Sequence, residues 1–319
     1  MFTPRKLTSL VLGAALVMAL GGSKAMADEY PSKPISLVLP LGAGGSHDLN
    51  SRVFTSIIPS YLGQAMVVKL MPGASGQKGT AHVANAKPDG YTLLFSHNFF
   101  DELQQYTTKL PYQPSDFETV VRLNYATPSV VVLASSPWMT LQDLLDDMRT
   151  NPGKITFGHS GNWGAIMVPG ALLLSEAGVK ATLVPHKGGG PAMKALLAGD
   201  VDFSMAFPSV IGGQGDKLRV LASLGSERIF DDVPTLKELG YTPGVGLMNR
   251  IVLAPKGMPA ADMKKLRDAF VALQKDKTYN RMMKKLGENT ELMMGPDYEK
   301  VRMQQSEQYE KLVKAITGN

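Results

Sequence analysis

The sequence predicts an α/β protein of two lobes with a ligand cleft between them. Three observations carry that expectation. Short apolar runs alternate with amphipathic stretches, as buried strands alternate with surface helices. The alternation is played out twice, before and after about residue 128. In both series Gly-rich loops directly follow strands, the place where open α/β sheets hold ligands.

In the first series Ile35–Leu39 reads as a strand broken by Pro40-Leu-Gly-Ala-Gly-Gly-Ser46. A helix begins at Asp48, with Leu49, Val53, Phe54 and Ile57 on one side. Met66–Leu70 is a strand ended by Pro72-Gly73, Gly79–Ala86 a short helix, and Tyr91–Phe95 a strand after the Pro88-Asp89-Gly90 turn. This order predicts a parallel sheet with helices on both faces. The second series has strands at Val130–Leu133, Ile155–Phe157, Thr182–Val184, Phe203–Phe207 and Arg219–Leu224. Its helices run from a Thr140 cap to Met148, near Ile166–Ala177 and near Ala192–Ala198. Strand Ile251–Ala254 leads into terminal helices with apolar stripes at Met263, Leu266, Phe270 and Leu273, then at Tyr298, Val301, Tyr309, Leu312 and Ile316. The expected lobes are 28–128 plus 251–319, and 129–250.

The N-terminus reads as an address. Arg5 and Lys6 precede an apolar stretch from Leu7 to Leu20, and Ala25-Met-Ala27 follows. These are the parts of a secretory signal peptide cleaved after Ala27, and the stretch falls short of the roughly 20 residues that span a bilayer. Removing residues 1–27 removes Arg5, Lys6 and Lys24, so 33 − 3 = 30 basic residues face 28 acidic ones. A net charge of +2 lacks the basic excess of a nucleic-acid binder. The chain has no cysteine, which excludes thiolate nucleophiles and thiolate-held metals. An exported, cysteine-free chain of this size fits a bacterial periplasm.

Three loops open onto helices: Gly42-Ala43-Gly44-Gly45-Ser46-His47-Asp48, Gly158-His159-Ser160-Gly161-Asn162-Trp163-Gly164, and His186-Lys187-Gly-Gly-Gly190. Glycines let backbone N–H groups approach a ligand, and a helix N-terminus favours an anion. Neither a phosphate-loop motif nor a dinucleotide fingerprint occurs, so no nucleotide cofactor is expected. Gly158-His-Ser160-Gly-Asn162 departs from a nucleophile elbow at Asn162, and the acid and histidine that should follow are out of order. A serine hydrolase using Ser160 is thus the weaker alternative. His47, His82, His97, His159 and His186 all fall in or near loops, and their spacing establishes no metal site. His47, His159 and His186 read as polar cleft walls able to donate to a carboxylate.

At these loops the chain resembles the Bug family, periplasmic solute-binding proteins of tripartite tricarboxylate transporters. The resemblance runs through Tyr30-Pro-Ser-Lys-Pro-Ile35, Pro40–Asp48 with Arg52, Pro72-Gly-Ala-Ser-Gly76 and Lys87-Pro-Asp-Gly-Tyr-Thr-Leu-Leu94. It continues through Leu110-Pro-Tyr, Asp116-Phe117, Gly158–Asn162, Pro185–Ala192, Asp232-Val-Pro-Thr235 and Leu253-Ala-Pro255. It implies a Venus-flytrap that clamps a carboxylate between the loops at Gly42–Asp48 and Ser160–Gly164, does no chemistry, works as a monomer without cofactor or metal, and hands its ligand to membrane subunits. A sensor presenting the same closed form to a membrane kinase would read identically.

Departures from the family pattern fall at His47, Trp163, Ala206-Phe207 and Asn249-Arg250. Where relatives often carry an acid, this chain has Ala206, which argues against an amino-bearing ligand. Arg250 offers a bidentate fork for a second anion, so the expected ligand is a dicarboxylate, with Trp163 and Phe207 available to stack on a ring. His97 completes the set of expected ligand contacts.

Overall fold

A computed structural model describes residues 29–242 and 247–317. The expected signal peptide and its cleavage point lie outside the described residues. No helix among the described residues is long and apolar enough to cross a membrane.

The first series gives β1 (Ile35–Leu39), α1 (Ser46–Ile57), α2 (Pro59–Leu62), β2 (Met66–Leu70), α3 (Gln77–Ala84) and β3 (Thr92–His97). β1 lies between β2 and β3 and runs parallel to both. Ile35, Leu37, Val38 and Leu39 are all fully buried, because helices cover both faces of the sheet. A π-helical turn, Phe99–Leu103, follows β3. Next come β4 (Phe117–Ala126) and, after the chain has left and returned, β10 (Met248–Pro255) and β11 (Met293–Met294). The sheet order is β11-β4-β10-β3-β1-β2.

The second lobe holds β5 (Ser129–Leu133), α4 (Leu141–Thr150), β6 (Thr156–His159), α5 (Met167–Glu176), β7 (Thr182–Pro185), α6 (Gly189–Ala198), β8 (Phe203–Ala206), α7 (Pro208–Ile211) and β9 (Leu218–Ser223), with sheet order β7-β6-β8-β5-β9. The three strands of the first series run parallel as expected, but each sheet as a whole is mixed. β10 runs antiparallel to β3 and β4, and β5 antiparallel to β8 and β9. The reason is connectivity. β5 and β10 are the first strands after each passage between lobes. Each starts at the edge where its neighbours end, and so runs against them.

The first passage is Thr127-Pro128, between β4 and β5, and the second precedes Met248. Residues 248–250 therefore belong to the six-stranded sheet, with Arg250 paired to His97 and Asn124, and not to the second lobe. Two helices follow β10: α8 (Ala260–Lys275) buries Met263, Leu266, Phe270 and Leu273, and α9 (Lys277–Lys285) is capped by Asp276. The last helix, α10 (Gly295–Thr317), serves both lobes. Tyr298 packs with Leu94, Phe117 and Leu253, whereas Tyr309 and Val313 join Phe99 and Leu103 in the core around Val130, Phe157 and Phe203. The terminal segment is thus not confined to the first lobe. It braces the two.

Candidate functional site

A narrow cleft lies between the lobes. The first lobe lines it with Leu41, Gly42, Gly45, Ser46, His47, Asp48, His97 and Met248. The second contributes Ser160, Ala165, Ile166, Gly189, Ala206, Phe207 and Val210. No lysine or arginine is among these residues. Instead the N-termini of three helices, α1, α5 and α6, meet here, and none has a side-chain cap. Missing caps are shared by α2, α3, α7 and α8, so what sets the cleft apart is that three such starts converge there. The first four N–H groups of a helix need acceptors, and their dipoles add there to a positive end. In α1, Leu49 N–H already bonds Gly45 O at 3.0 Å, while Ser46, His47 and Asp48 have no backbone acceptor among the described residues. Ser46 and Ser160 add buried hydroxyls, so the arrangement is built to receive an anion.

Asp48 shapes this loop. Its Oδ2 accepts from Gly44 N–H at 2.8 Å and its Oδ1 pairs with Arg52 Nε at 3.0 Å. The carboxylate holds the turn while Arg52 offsets its charge, so an acid can sit beside an anion site.

The Gly-rich loops also do something that their composition did not announce: they press on each other across the cleft. Gly42 N–H donates to Lys187 O at 2.7 Å. A Cβ on Gly190 would lie 2.0 Å from Ala43 O, and one on Gly188 2.8 Å from Gly42 N. Only glycine allows this backbone-to-backbone seam. On the other flank Asn162 N–H donates to Ser75 Oγ at 3.0 Å. The Gln104 amide there donates to Ser75 O at 2.9 Å and Asn162 O at 3.2 Å. Ser75 and its neighbour Ala74 hold left-handed conformations, at φ 49° and 46°. These bonds span the lobes, so the structure is the closed form.

His47 and His97 stand side by side in the first-lobe wall, ring centroids 5.2 Å apart. His47 Nε2 lies 3.2 Å from Ser96 O. Burial first, then His97 and Arg250, hold the His47 pKa well below its ordinary value. Burial and then Arg250 bring His97 to about 3. Both rings are neutral at pH 7.

Arg250 requires a correction. It is fully buried, and its guanidinium grips Glu288 with Nη1–Oε2 at 2.8 Å and Nη2–Oε1 at 2.9 Å. Nη1 also donates to Asn124 Oδ1 at 3.0 Å. The fork expected to meet a second ligand anion is committed to a protein carboxylate, and Arg250 does not line the cleft. Glu288 was missed in the sequence because nothing in its surroundings marks it as the partner of a residue 38 positions earlier.

The other expected contacts divide. Gly42, Gly45, Ser46, His47, Asp48, His97, Ser160 and Phe207 line the cleft. Gly161, Asn162, His186 and Lys187 line a neighbouring inter-lobe recess with Ser75 and Gly76. Gly44 faces an apolar groove beside α1 and α9, and Ala43 lies in the glycine seam. Gly164 sits against Phe100, and Trp163, left-handed at φ 58°, opens onto a recess with Gln104 and Thr107. His159 is buried with Nδ1 3.1 Å from Gly161 O, a turn contact outside the cleft. Trp163 and His159 are thus corrected: neither faces the cleft. The apolar lining residues Leu41, Ala165, Ile166, Val210 and Met248 were not foreseen, because apolar residues beside a strand end read as core.

Comparison with known proteins agrees with this geometry. Residues 51–317 match the tripartite tricarboxylate transporter family receptor. A protein of Cupriavidus necator described as the "UPF0065 protein in gbd 5'region" is 36% identical over 267 residues, covering 81% of this chain and 79% of its own. Protein BugT of Bordetella pertussis is 32% identical over 256 residues, 77% of this chain and 78% of its own. Among solved structures, a periplasmic transporter superposes with TM-score 0.85 at 30% identity, covering 89% of this chain and 97% of that one. The periplasmic binding protein BugD gives 0.84 at 28% identity, over 90% and 99%. The chain belongs to the tripartite tricarboxylate transporter receptor family, the Bug family of two-lobe solute-binding proteins.

Proposed function

We propose that this protein captures a small carboxylate between its lobes in the periplasm, as a monomer, and delivers it to the membrane subunits of a tripartite tricarboxylate-type transporter. The observation that carries this reading is the meeting of three uncapped helix N-termini in one cleft free of lysine and arginine. Such a site stabilises a carboxylate through oriented N–H groups and releases it when the lobes part. Export by the N-terminal signal, cleaved after Ala27, brings the chain to that compartment. The dicarboxylate expectation rested on Arg250 and loses its support with the Glu288 pair.

A hydrolase reading finds no support at Ser160. No histidine among the described residues hydrogen-bonds its hydroxyl, and a serine nucleophile needs a base at that distance. The test is to unfold the purified mature protein under mild acid, collect what it releases, and identify it by mass spectrometry. A small organic acid released in near one-to-one amount supports the reading. A neutral or cationic solute in that amount contradicts it.

A further inference from the structure

We propose that His47 and His97 select a ligand hydroxyl, so that the preferred ligands are small hydroxylated monocarboxylates. This rests on the carboxylate reading above and names the part of the ligand beyond the clamped group. His47 Nε2 is 3.2 Å from the Ser96 carbonyl, which can only accept. Nε2 therefore carries the proton, and Nδ1 of the neutral ring presents a lone pair. His47 lines the cleft, is 3% exposed, and receives no hydrogen bond at Nδ1 from the described residues. His97, 1% exposed and also lining the cleft, has its Nδ1 buried without a partner. His97 Nδ1 thus lacks the partner that buried polar groups almost always find, and beside it His47 Nδ1 receives no hydrogen bond from the described residues.

Charge decides what those partners are. A second carboxylate would meet a lone pair on His47, and the nearby Arg250 charge is already matched by Glu288. Its desolvation would go uncompensated. An ammonium group would need a free acid, and Asp48, the acid of the lining, has Oδ2 taken by Gly44 N–H and its charge met by Arg52 beside Oδ1, although Oδ1 itself accepts no hydrogen bond. A hydroxyl fits both needs: it donates to His47 Nδ1 and accepts an N–H from the neutral His97 ring. Phe207, Val210 and Met248 cover the carbon skeleton, and the narrow space keeps the acid small.

The test is calorimetric titration of ligand-stripped mature protein with matched acids. The pairs are lactate and propionate, 3-hydroxybutyrate and butyrate, and 4-hydroxybenzoate and benzoate, with succinate and alanine alongside. We expect at least one hydroxy acid to bind about tenfold or more tighter than its deoxy partner, and tighter than succinate or alanine. In His47→Phe, which keeps a ring and removes the acceptor, that ratio should fall to near one. His97→Phe serves as the second variant should the first not fold. Equal affinities within every pair, or tightest binding by succinate or alanine, would overturn the hydroxyl assignment while leaving the carboxylate reading intact where any acid binds. Binding of no carboxylate at all would overturn both.

Discussion

Arg250 and Glu288 form a two-bonded ion pair at 2.8 and 2.9 Å, wholly shielded from solvent at the seam between the lobes. From the second lobe Ser209 Oγ donates to Glu288 Oε1 at 2.5 Å, and the Phe207 ring lies 5.6 Å from the guanidinium. A buried pair is costly to break on one side, because the survivor is left charged and unpaired. Glu288→Gln should therefore lower folding stability by about 3–5 kcal/mol, measured by urea denaturation. The double variant Arg250→Met with Glu288→Leu should recover most of that loss. Arg250→Met alone should weaken mono- and dicarboxylates by the same factor, since the side chain does not reach the ligand.

Gly190 tests closure separately from folding. A methyl group there collides with Ala43 O only when the lobes are shut. Gly190→Ala should leave the melting temperature of the ligand-free protein nearly unchanged, yet weaken ligand by at least about tenfold. Small-angle scattering with saturating ligand should show the variant failing to contract.

Asp101 and Glu102, on the π-helical turn, make stability depend on pH. Asp101 is 1% exposed, and neither of its carboxylate oxygens has a hydrogen bond. Burial raises its pKa to about 7, against the pull of Arg302. Burial likewise raises Glu102 to about 8, opposed by Arg302 and Tyr298. In the unfolded chain both titrate near pH 4. Between those values the folded state holds protons that the unfolded state has released, so this contribution is full below about pH 4 and lost as pH rises through 7 to 8. Relative to wild type, Asp101→Asn should gain stability at pH 8 compared with pH 5. Thermal melts at the two pH values would read the difference.

Much of this was legible in the residues. Ile35–Leu39, Met66–Leu70 and the stripe Met263, Leu266, Phe270, Leu273 announce themselves because burial there is continuous or strictly periodic. β4 did not, because Thr119, Arg122 and Asn124 interrupt its apolar run. Each is buried by a distant partner: Glu299, Glu291 O, or Asn50 and Arg250. At the site, the loop glycines and Ser160 were readable as strand-end punctuation before helices. Their second use, as a seam, was not, since contact between Gly42–Gly45 and Gly188–Gly190 exists only once the lobes meet. Arg250 misled for the same reason. A lone arginine on a strand advertises a charge, and only the fold shows that Glu288 has taken it.

The anion site itself is tested most directly by removing the ligand's charge and little else. Once the released acid is known, mature protein should be titrated with that acid and with its primary carboxamide at pH 7. Free N–H groups at the starts of α1 and α6 in a shielded cleft, with the positive end of α5 beside them, predict that the acid binds at least about a hundredfold tighter, or roughly 2.7 kcal/mol. Equal affinity for the two would mean that the helix N-termini do not hold a carboxylate, and the account would fail at its centre.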